Sequence, residues 1–209
     1  PEGQETLFGG DGQSPGKSLE LVRVYLSRAI ESSPLMGIRA VEKTINQVRN
    51  DLYFHSDRLE SELTRAKKLL EKMTEKDLKI EALIDEIKDD VSIGSPILIF
   101  AEFKETVNYL KERLRMSFDV VIKSVTSDDS DSKREEICLG FSSKYHKRRA
   151  KKSDAKILIA TDCLSEGIDL PDAKVMVNYD LFWTPLKMVQ RVGRLDRPTS
   201  KKRSFRAVN

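Results

Sequence analysis

Three arginines near the end of the chain carry its strongest chemical signal. Arg191, Arg194 and Arg197 recur every three residues, so a helix would place them on one broad face. Three like charges on one face repel each other unless an anion lies opposite them. A planar guanidinium can bind two phosphate oxygens at once, which makes phosphate the natural ligand. Gly193 leaves room for a backbone to approach closely.

A simpler interpretation is a solvated basic helix end with ordinary salt bridges. The acids that could form them are Glu166, Asp169 and Asp196. The preceding sequence favours the phosphate interpretation. Continuous apolar runs at 157–160 and 175–177 are typical of buried strands in a parallel sheet. Polar residues follow both runs, and in open α/β sheets chemistry lies at these carboxyl ends.

The two apolar runs and the arginines belong to longer motifs. The segment ATDCLSEGIDLPDAKVMVNYD (160–180), followed by QRVGRLDR (190–197), resembles motifs V and VI of superfamily 2 helicases and translocases. Within that superfamily it is similar to the Swi/Snf-like branch, in which motif VI reads Q-R-x-G-R-x-x-R. The resemblance implies an α/β fold with a RecA-like parallel sheet flanked by helices, the C-terminal lobe of a two-lobed motor.

The resemblance also implies roles in ATP hydrolysis for residues of the second motif. Arg194 and Arg197 would be arginine fingers that reach across the cleft between the two lobes. Gln190 would contact the phosphates or the attacking water. Arg191 would orient the cleft through acidic partners of the first lobe. Loss of Arg197 is expected to abolish turnover while the fold stays intact.

The first motif supplies further contacts by the same resemblance. Asp169 would accept a hydrogen bond from the ribose hydroxyl, since it matches the G-x-D of the family. Gly167 and Ser165 would line the cleft, with Gly167 at the nucleotide and Ser165 at the nucleic acid. Thr161, at a strand end, would donate a hydrogen bond to a nucleic-acid phosphate.

A basic run at 144–152 contains six Lys or Arg in nine residues. Such a run is commonly a solvated face. It could also hold a phosphate backbone electrostatically, and Lys147, Arg148 and Arg149 are then the candidate contacts. The resemblance names the partner as DNA, with RNA left open.

The chain lacks half of what a nucleotide-driven motor needs. It has no G-x-x-x-x-G-K-[ST] loop and no D-E-x-[HDN] after an apolar strand. Gly16-Lys17-Ser18 imitates the end of such a loop, but the first glycine position holds Asp11 and no strand precedes it. We therefore expect ATP and its Mg²⁺ to be held by an N-terminal RecA-like lobe outside this sequence. The fragment alone is expected to be inactive.

Composition narrows the class of protein further. A chain of 209 residues is long enough for one sizeable α/β domain with appendages. The net charge of +3 is too small to indicate nucleic acid, so any such contact must come from local patches. The two cysteines have no metal-ligand spacing, and no apolar run reaches the length of a membrane span. We expect an intracellular protein without a metal site in this chain.

The chain is expected to have three parts. Residues 1–16 are rich in Gly, Gln, Ser and Pro and are predicted to be a flexible linker. Residues 17–75 have helical spacing and are predicted to be a helical insert or inter-lobe segment. Residues 76–209 are assigned to the helicase C-terminal domain, with an edge strand expected near 203–208 and truncation at that end left open. Helix N-caps are predicted at Thr74 and Ser132.

The expected function is the second lobe of an ATP-dependent translocase or helicase that acts on double-stranded DNA. An alternative is a non-enzymatic module that keeps the lobe fold and binds nucleic acid or a protein. The spacing of Gln190, Arg194 and Arg197 favours the motor, because a binding surface does not need it. A motor subunit of a nuclease or restriction complex would share the same chemistry.

Overall fold

The computed structural model describes residues 15–50, 56–144, 146–147, 149, 151–165, 169–181, 185–196 and 204–209. The chain divides into two compact units, residues 1–77 and residues 78–209. This division is two residues beyond the 75/76 boundary expected from the sequence. The role of the first unit as an insert or inter-lobe segment stays a prediction.

Helices make up the described part of the first unit. They are α1 (Pro15–Ser32), α2 (Pro34–Asn50) and α3 (Asp57–Met73). Pro34 occupies the first position of α2, where a missing N–H costs no hydrogen bond. The apolar positions of α2 recur at helical spacing, and this face packs against Leu63 and Leu70 of α3. Ser56 caps α3 by accepting a hydrogen bond from the Leu59 N–H at 3.4 Å.

A five-stranded parallel sheet forms the centre of the second unit. Its strands are β1 (Ile97–Phe100), β2 (Ile122–Val125), β3 (Ile157–Ala160), β4 (Val175–Asn178) and β5 (Arg206–Val208). They lie in the order β2-β3-β1-β4-β5. The three central strands are buried along their whole length, as their continuous apolar sequences indicate. Because all pairings are parallel, the carboxyl ends share one edge of the sheet.

Helices cover both faces of this sheet. They are α4 (Leu78–Ser92), α5 (Lys104–Ser117), α6 (Asp131–Phe141) and α7 (Pro185–Leu195). One apolar cluster joins α4 and α5 to one face, and a second joins α6 and α7 to the other. Between β3 and β4, a short 3-10 helix (Asp162–Ser165) and Leu170 complete the second cluster. The expected fold class is confirmed, a parallel α/β sheet flanked by helices and preceded by a helical segment.

Two helix caps differ from the sequence prediction. Thr74 follows the end of α3, and its N–H donates to the Leu70 carbonyl at 3.2 Å. It is therefore the C-cap of α3 and not the N-cap of the next helix. Ser130, not Ser132, caps α6 by accepting a hydrogen bond from the Lys133 N–H at 3.4 Å. A capping residue needs an extended backbone, which Ser130 has, whereas Ser132 already lies inside the helix.

The edge strand expected near the end of the chain is β5. It pairs with β4, and the guanidinium of Arg206 bonds Glu86 and Asp90 of α4. These ionic contacts fasten a strand that is too short and too exposed to be held by apolar burial.

Among the described helices, none is both long enough and apolar enough to cross a membrane.

Candidate functional site

Polar residues collect at the carboxyl edge of the sheet. Thr161 and Asp162 follow β3, while Asn178 ends β4 and Asp180 lies two residues beyond it. Both strands flank β1 and run parallel to it, so these four residues belong to one edge. This is the grouping expected from the sequence. Helix α7 packs against the 3-10 helix at the same edge.

Arg191 of α7 is buried at the centre of this edge, with 1% of its surface exposed. Its Nε donates to Asp162 Oδ1 at 2.8 Å, and its Nη1 donates to Asn178 Oδ1 at 2.8 Å. The guanidinium also lies 4.6 Å from the centre of the Phe100 ring, within cation–π range. A buried charge is stable only when it is paired and hydrogen-bonded. These contacts therefore fix α7 to the ends of β1, β3 and β4.

The placement of Arg191 corrects the expectation of one shared arginine face. Arg191 is buried, whereas Arg194 is partly exposed and Gln190 is exposed. The acid that binds Arg191 is Asp162, which was not among the acids considered as salt-bridge partners. Sequence spacing could not find this pair, because 29 residues separate the two side chains. A nucleotide-cleft role for Arg191 through a first lobe stays a prediction.

Gln190 and Arg194 are available for contacts outside the chain. Across the residues that the structure describes, neither side chain has a hydrogen-bond or ion-pair partner. A Cβ added at Gly193, which lies between Arg191 and Arg194, would meet no atom within 4 Å. The helix thus has one arginine that holds it in place and a second, one turn on, that no described residue engages.

Asp169 and Arg194 lie beside each other in the backbone. The Leu170 N–H donates to the Arg194 carbonyl at 2.9 Å, which joins the segment after the 3-10 helix to the end of α7. On the other side of this segment, His146 Nε2 lies 3.1 Å from the Asp169 carbonyl oxygen. The structure therefore brings together two of the predicted nucleotide contacts. It also connects them to the basic segment 144–152.

A second polar cluster at the same edge was missed by sequence reasoning. Asp180 is buried at 7% exposure, and Lys79 of α4 approaches its Oδ1 at 3.0 Å. The Glu102 N–H donates to Asp180 Oδ2 at 2.8 Å. Lys79 Nζ also lies 3.9 Å from the centre of the Tyr179 ring. The available signal was an acid just after a buried strand, because such an acid needs a cation within reach.

Thr161 and Cys163 form a small cluster at the end of β3. The Thr161 hydroxyl donates to Cys163 Sγ at 3.1 Å, and Cys163 Sγ lies 3.9 Å from the Val125 carbonyl oxygen. Burial raises the pKa of the neighbouring Cys138 thiol to about 12, and the charge of Cys163 adds to this effect. Thr161 as a whole is partly exposed.

The remaining predicted residues are described only in part. Lys147 and Arg149 are exposed, and Lys147 adopts a left-handed backbone with φ of 52°. Arg148, Gly167 and Arg197 lie outside the described residues, and only the backbone of Ser165 is described. Within the described ranges, no group of three His, Cys, Asp or Glu side chains could hold a metal ion.

The fold and this edge define a class before any relative is considered. In open parallel sheets ligands bind outside the carboxyl ends of the strands, and here those ends carry polar residues beside a helix whose Arg194 has no partner among the described residues. Residues 78–199 match the family described as "Helicase conserved C-terminal domain". Because the match covers more than half of the chain, this chain belongs to that family.

The individual relatives include a DNA helicase and an RNA helicase. The chain is 26% identical to the ATP-dependent DNA helicase MPH1 of Candida albicans, over 75% of the chain and 16% of the relative. It is 32% identical to the ATP-dependent RNA helicase p62 of Drosophila melanogaster, over 62% of the chain and 17% of the relative. The chain thus spans about a sixth of these curated relatives.

Among solved structures, the chain is similar to the Hef helicase domain of Pyrococcus furiosus. The TM-score is 0.58 at 18% identity, over 92% of this chain and 39% of that one. This likeness concerns the fold. The resemblance to the C-terminal lobe of superfamily 2 helicases is therefore confirmed. The choice between DNA and RNA, and the Swi/Snf-like branch, stay predictions.

Proposed function

We propose that this chain is the second motor lobe of an intracellular, ATP-dependent translocase or helicase that acts on double-stranded DNA. The lobe would close on a first lobe, which holds ATP, and would contribute arginines to its hydrolysis. Repeated opening and closing of the two lobes would then move the protein along the nucleic acid.

This proposal rests on one observation, the contrast along α7 between a buried, bonded arginine and two side chains that no described residue engages. Arg191 is buried and bonded to Asp162 and Asn178, so the helix is fixed against the sheet. Arg194 and Gln190 have no partner within the described part of the chain and remain available. An arginine left unpaired on a rigid helix is suited to a charge supplied from outside, because its position costs no rearrangement when the anion arrives.

In this proposal, each residue has one task at the nucleotide. Arg194 and Arg197 place positive charge against the γ-phosphate as negative charge develops there, which is worth on the order of 10³–10⁵ in rate. Gln190 contacts the phosphates or the attacking water. Arg191 acts through Asp162 and Asn178 as a positioning residue. Its contribution at the nucleotide is therefore proposed to be indirect.

The segment between β3 and β4 supports the nucleotide and the nucleic acid at different points. Asp169 is proposed to bind the ribose, and its contact with the end of α7 through Leu170 supports a common site with Arg194. Gly167 lines the same cleft in the proposal. Thr161 and Ser165 are proposed to contact nucleic-acid phosphates at the carboxyl edge, and the partial exposure of Thr161 supports this.

Mg²⁺ fits the missing lobe better than this one. The described acids of the edge, Asp162 and Asp180, are engaged by Arg191 and Lys79 and so are poorly suited to bind a cation. When bound with ATP, Mg²⁺ would neutralise charge on the β- and γ-phosphates. We propose that the first lobe supplies its ligands.

Nucleic-acid-stimulated ATP hydrolysis by the intact protein tests the proposed function. We expect turnover to rise on adding duplex DNA and to rise less with an RNA duplex of the same sequence. Arg197→Ala should abolish the stimulated turnover, and Arg115→Ala, an exposed arginine paired with Glu112 on α5, should not. A wild-type protein without ATPase activity would favour the non-enzymatic binding module instead.

A further inference from the structure

A cavity at the amino edge of the sheet is not used by the proposed motor chemistry. Its volume is about 350 Å³. It lies beside the residues that begin β1, β3 and β4, where Pro96, Lys156 and Lys174 are found. Its remaining walls come from the end of α6 and from the segment between α6 and β3. The lining includes Phe141, Ser143, Lys144, Lys151, Asp154 and Asp172.

Four lysines from separate segments converge on this cavity. Lys144 and Lys151 come from the basic segment, and Lys156 and Lys174 come from the two strand starts. All four are exposed, and no ion-pair partner of their ammonium groups exists among the described residues. Several other lysines of this unit are paired, as Lys88 is with Asp85 at 3.1 Å. The cavity therefore concentrates four ammonium groups that form no ion pair with a described residue.

The two acids that line the cavity, Asp154 and Asp172, are too few to balance the four lysines. Asp154 Oδ2 accepts a hydrogen bond from the Lys151 N–H at 2.7 Å, so it orders the backbone of the basic segment. Asp172 is buried, with 8% of its surface exposed. Four ammonium groups thus oppose two carboxylates whose positions are fixed by the fold. The excess is positive, and it favours an anionic ligand.

Two of the lysines are held at defined positions by the sheet. The Lys156 N–H donates to the Val121 carbonyl at 2.8 Å, and the Lys174 N–H donates to the Pro96 carbonyl at 2.8 Å. Both backbones are therefore rigid, and only the side chains must be ordered when an anion binds. This lowers the entropic cost of binding relative to lysines on a loose loop.

We infer that this cavity binds the phosphate backbone of a nucleic-acid strand, as a second contact separate from the one at the carboxyl edge. The inference rests on the proposed function. The lysines do not end at the cavity, because exposed Lys147, Arg149 and Lys152 continue the basic surface along the segment. An extended basic surface matches an extended polyanion better than a compact phosphate ester.

The amino-edge cavity and the proposed contact at the carboxyl edge lie at opposite ends of the strands. Strand β3 has 4 residues between Lys156 and Thr161, and at about 3.3 Å per residue it is roughly 13 Å long. One phosphate cannot reach both ends. A strand held at both edges would pass along the lobe, and the His146 contact to the Asp169 carbonyl links the amino-edge surface to the proposed nucleotide site.

The salt dependence of binding tests this inference in the intact protein. We expect Lys156→Ala/Lys174→Ala to weaken binding of a 30-base-pair DNA duplex. Each phosphate contact contributes about 0.9 to the slope of log K against log salt concentration, so the slope should become shallower by about 1–2. Lys156→Arg/Lys174→Arg keeps both charges and should retain the wild-type slope. Lys88→Ala/Lys133→Ala removes the same charge from paired positions and should also retain it.

Several outcomes would overturn the inference. A slope for the alanine pair equal to that of the wild type excludes a phosphate-backbone contact at this cavity. The same holds if tripolyphosphate binds the wild type and not the alanine pair while the slopes agree, because the ligand would then be a compact phosphate. ATP hydrolysis without nucleic acid should be unchanged in the Lys88→Ala/Lys133→Ala control.

Failure of this inference is distinguishable from failure of the proposed function. If duplex DNA stimulates wild-type hydrolysis but the slopes agree, the motor stands and the amino-edge contact is wrong. If the wild-type protein neither binds nucleic acid nor hydrolyses ATP, the proposed function is wrong and the inference falls with it.

Discussion

Arg191 is buried and bonded to both Asp162 and Asn178, so its removal should be costly. Arg191→Ala removes the buried donor to Asp162 Oδ1 and to Asn178 Oδ1 and opens space beside Phe100. Breaking a buried ion pair costs about 3–5 kcal/mol. Because Asp162 retains 26% exposure, we expect a loss near the lower end, about 3 kcal/mol, in the free energy of unfolding measured with urea.

Lys187→Ala is the matched control, because Lys187 Nζ pairs with the same Asp162 at 3.3 Å but is exposed. An exposed pair contributes about 0–1 kcal/mol. Equal losses for the two variants would contradict the role of Arg191 as the residue that fixes α7.

The two cysteines should differ in reactivity under native conditions. Only a thiolate attacks a maleimide, and burial raises the pKa of Cys138 to about 12, so its thiol stays protonated at pH 8. We expect peptide mapping by mass spectrometry to find the label on the partly exposed Cys163 first. Cys138 should be labelled only after unfolding. Labelling of both at equal rates in the folded protein would mean that Cys138 is not buried as described.

At the scale of helices, alanine substitutions at Gly37 and Gly193 should have opposite effects on stability. A Cβ at Gly37 would lie 3.2 Å from the Ile30 Cα and 3.2 Å from Leu70 Cδ1, so α2 approaches its neighbours closely there. Gly37→Ala should lower the free energy of unfolding by about 1–3 kcal/mol, since a backbone atom cannot move aside cheaply. Gly193→Ala meets no atom within 4 Å and should raise it by up to about 1 kcal/mol, because alanine favours helix.

ATP turnover by Gly193→Ala tests whether anything approaches α7 at this position. If the first lobe or the nucleotide approaches α7 at Gly193, then Gly193→Ala should lower ATP turnover in the intact protein although it stabilises the fold. Unchanged turnover would mean that nothing approaches the helix at this position.

Most elements of the second unit were predictable because their signals are local. The central strands read as continuous apolar runs, and β5 was expected as an edge strand. Caps were less predictable, since Thr74, Ser130 and Ser132 are all chemically able to cap and only the backbone decides. Helix α7 was also predictable, because its arginines recur at helical spacing.

The internal contacts of the site were not predictable from spacing. Asp162 and Arg191, or Lys79 and Asp180, meet only after the sheet has formed, and 101 residues separate the second pair. Motif reasoning treats each arginine as a ligand contact, while the fold uses one of them as a structural ion pair. The four lysines of the amino-edge cavity come from three separate stretches of the chain and converge for the same reason.

For the whole molecule, the central claim is that this lobe acts on a nucleotide bound elsewhere. Family membership supports the claim, and so does Arg194, which has no side-chain partner among the described residues and whose carbonyl binds the Leu170 N–H next to Asp169. An arginine finger accelerates hydrolysis without being required for nucleotide binding, because it acts where charge develops in the transition state. The kinetics of a single variant can therefore distinguish the finger from an ordinary surface arginine.

The measurement that tests this claim most directly is single-turnover ATP hydrolysis by the intact protein with Arg194→Ala, at saturating ATP and duplex DNA. We predict a rate lowered on the order of 10³–10⁵-fold. The affinity for ATP, measured separately, should change by less than about tenfold, or 1.4 kcal/mol. Arg115→Ala should behave as the wild type. Hydrolysis by the Arg194 variant within a few-fold of the wild-type rate would contradict the account.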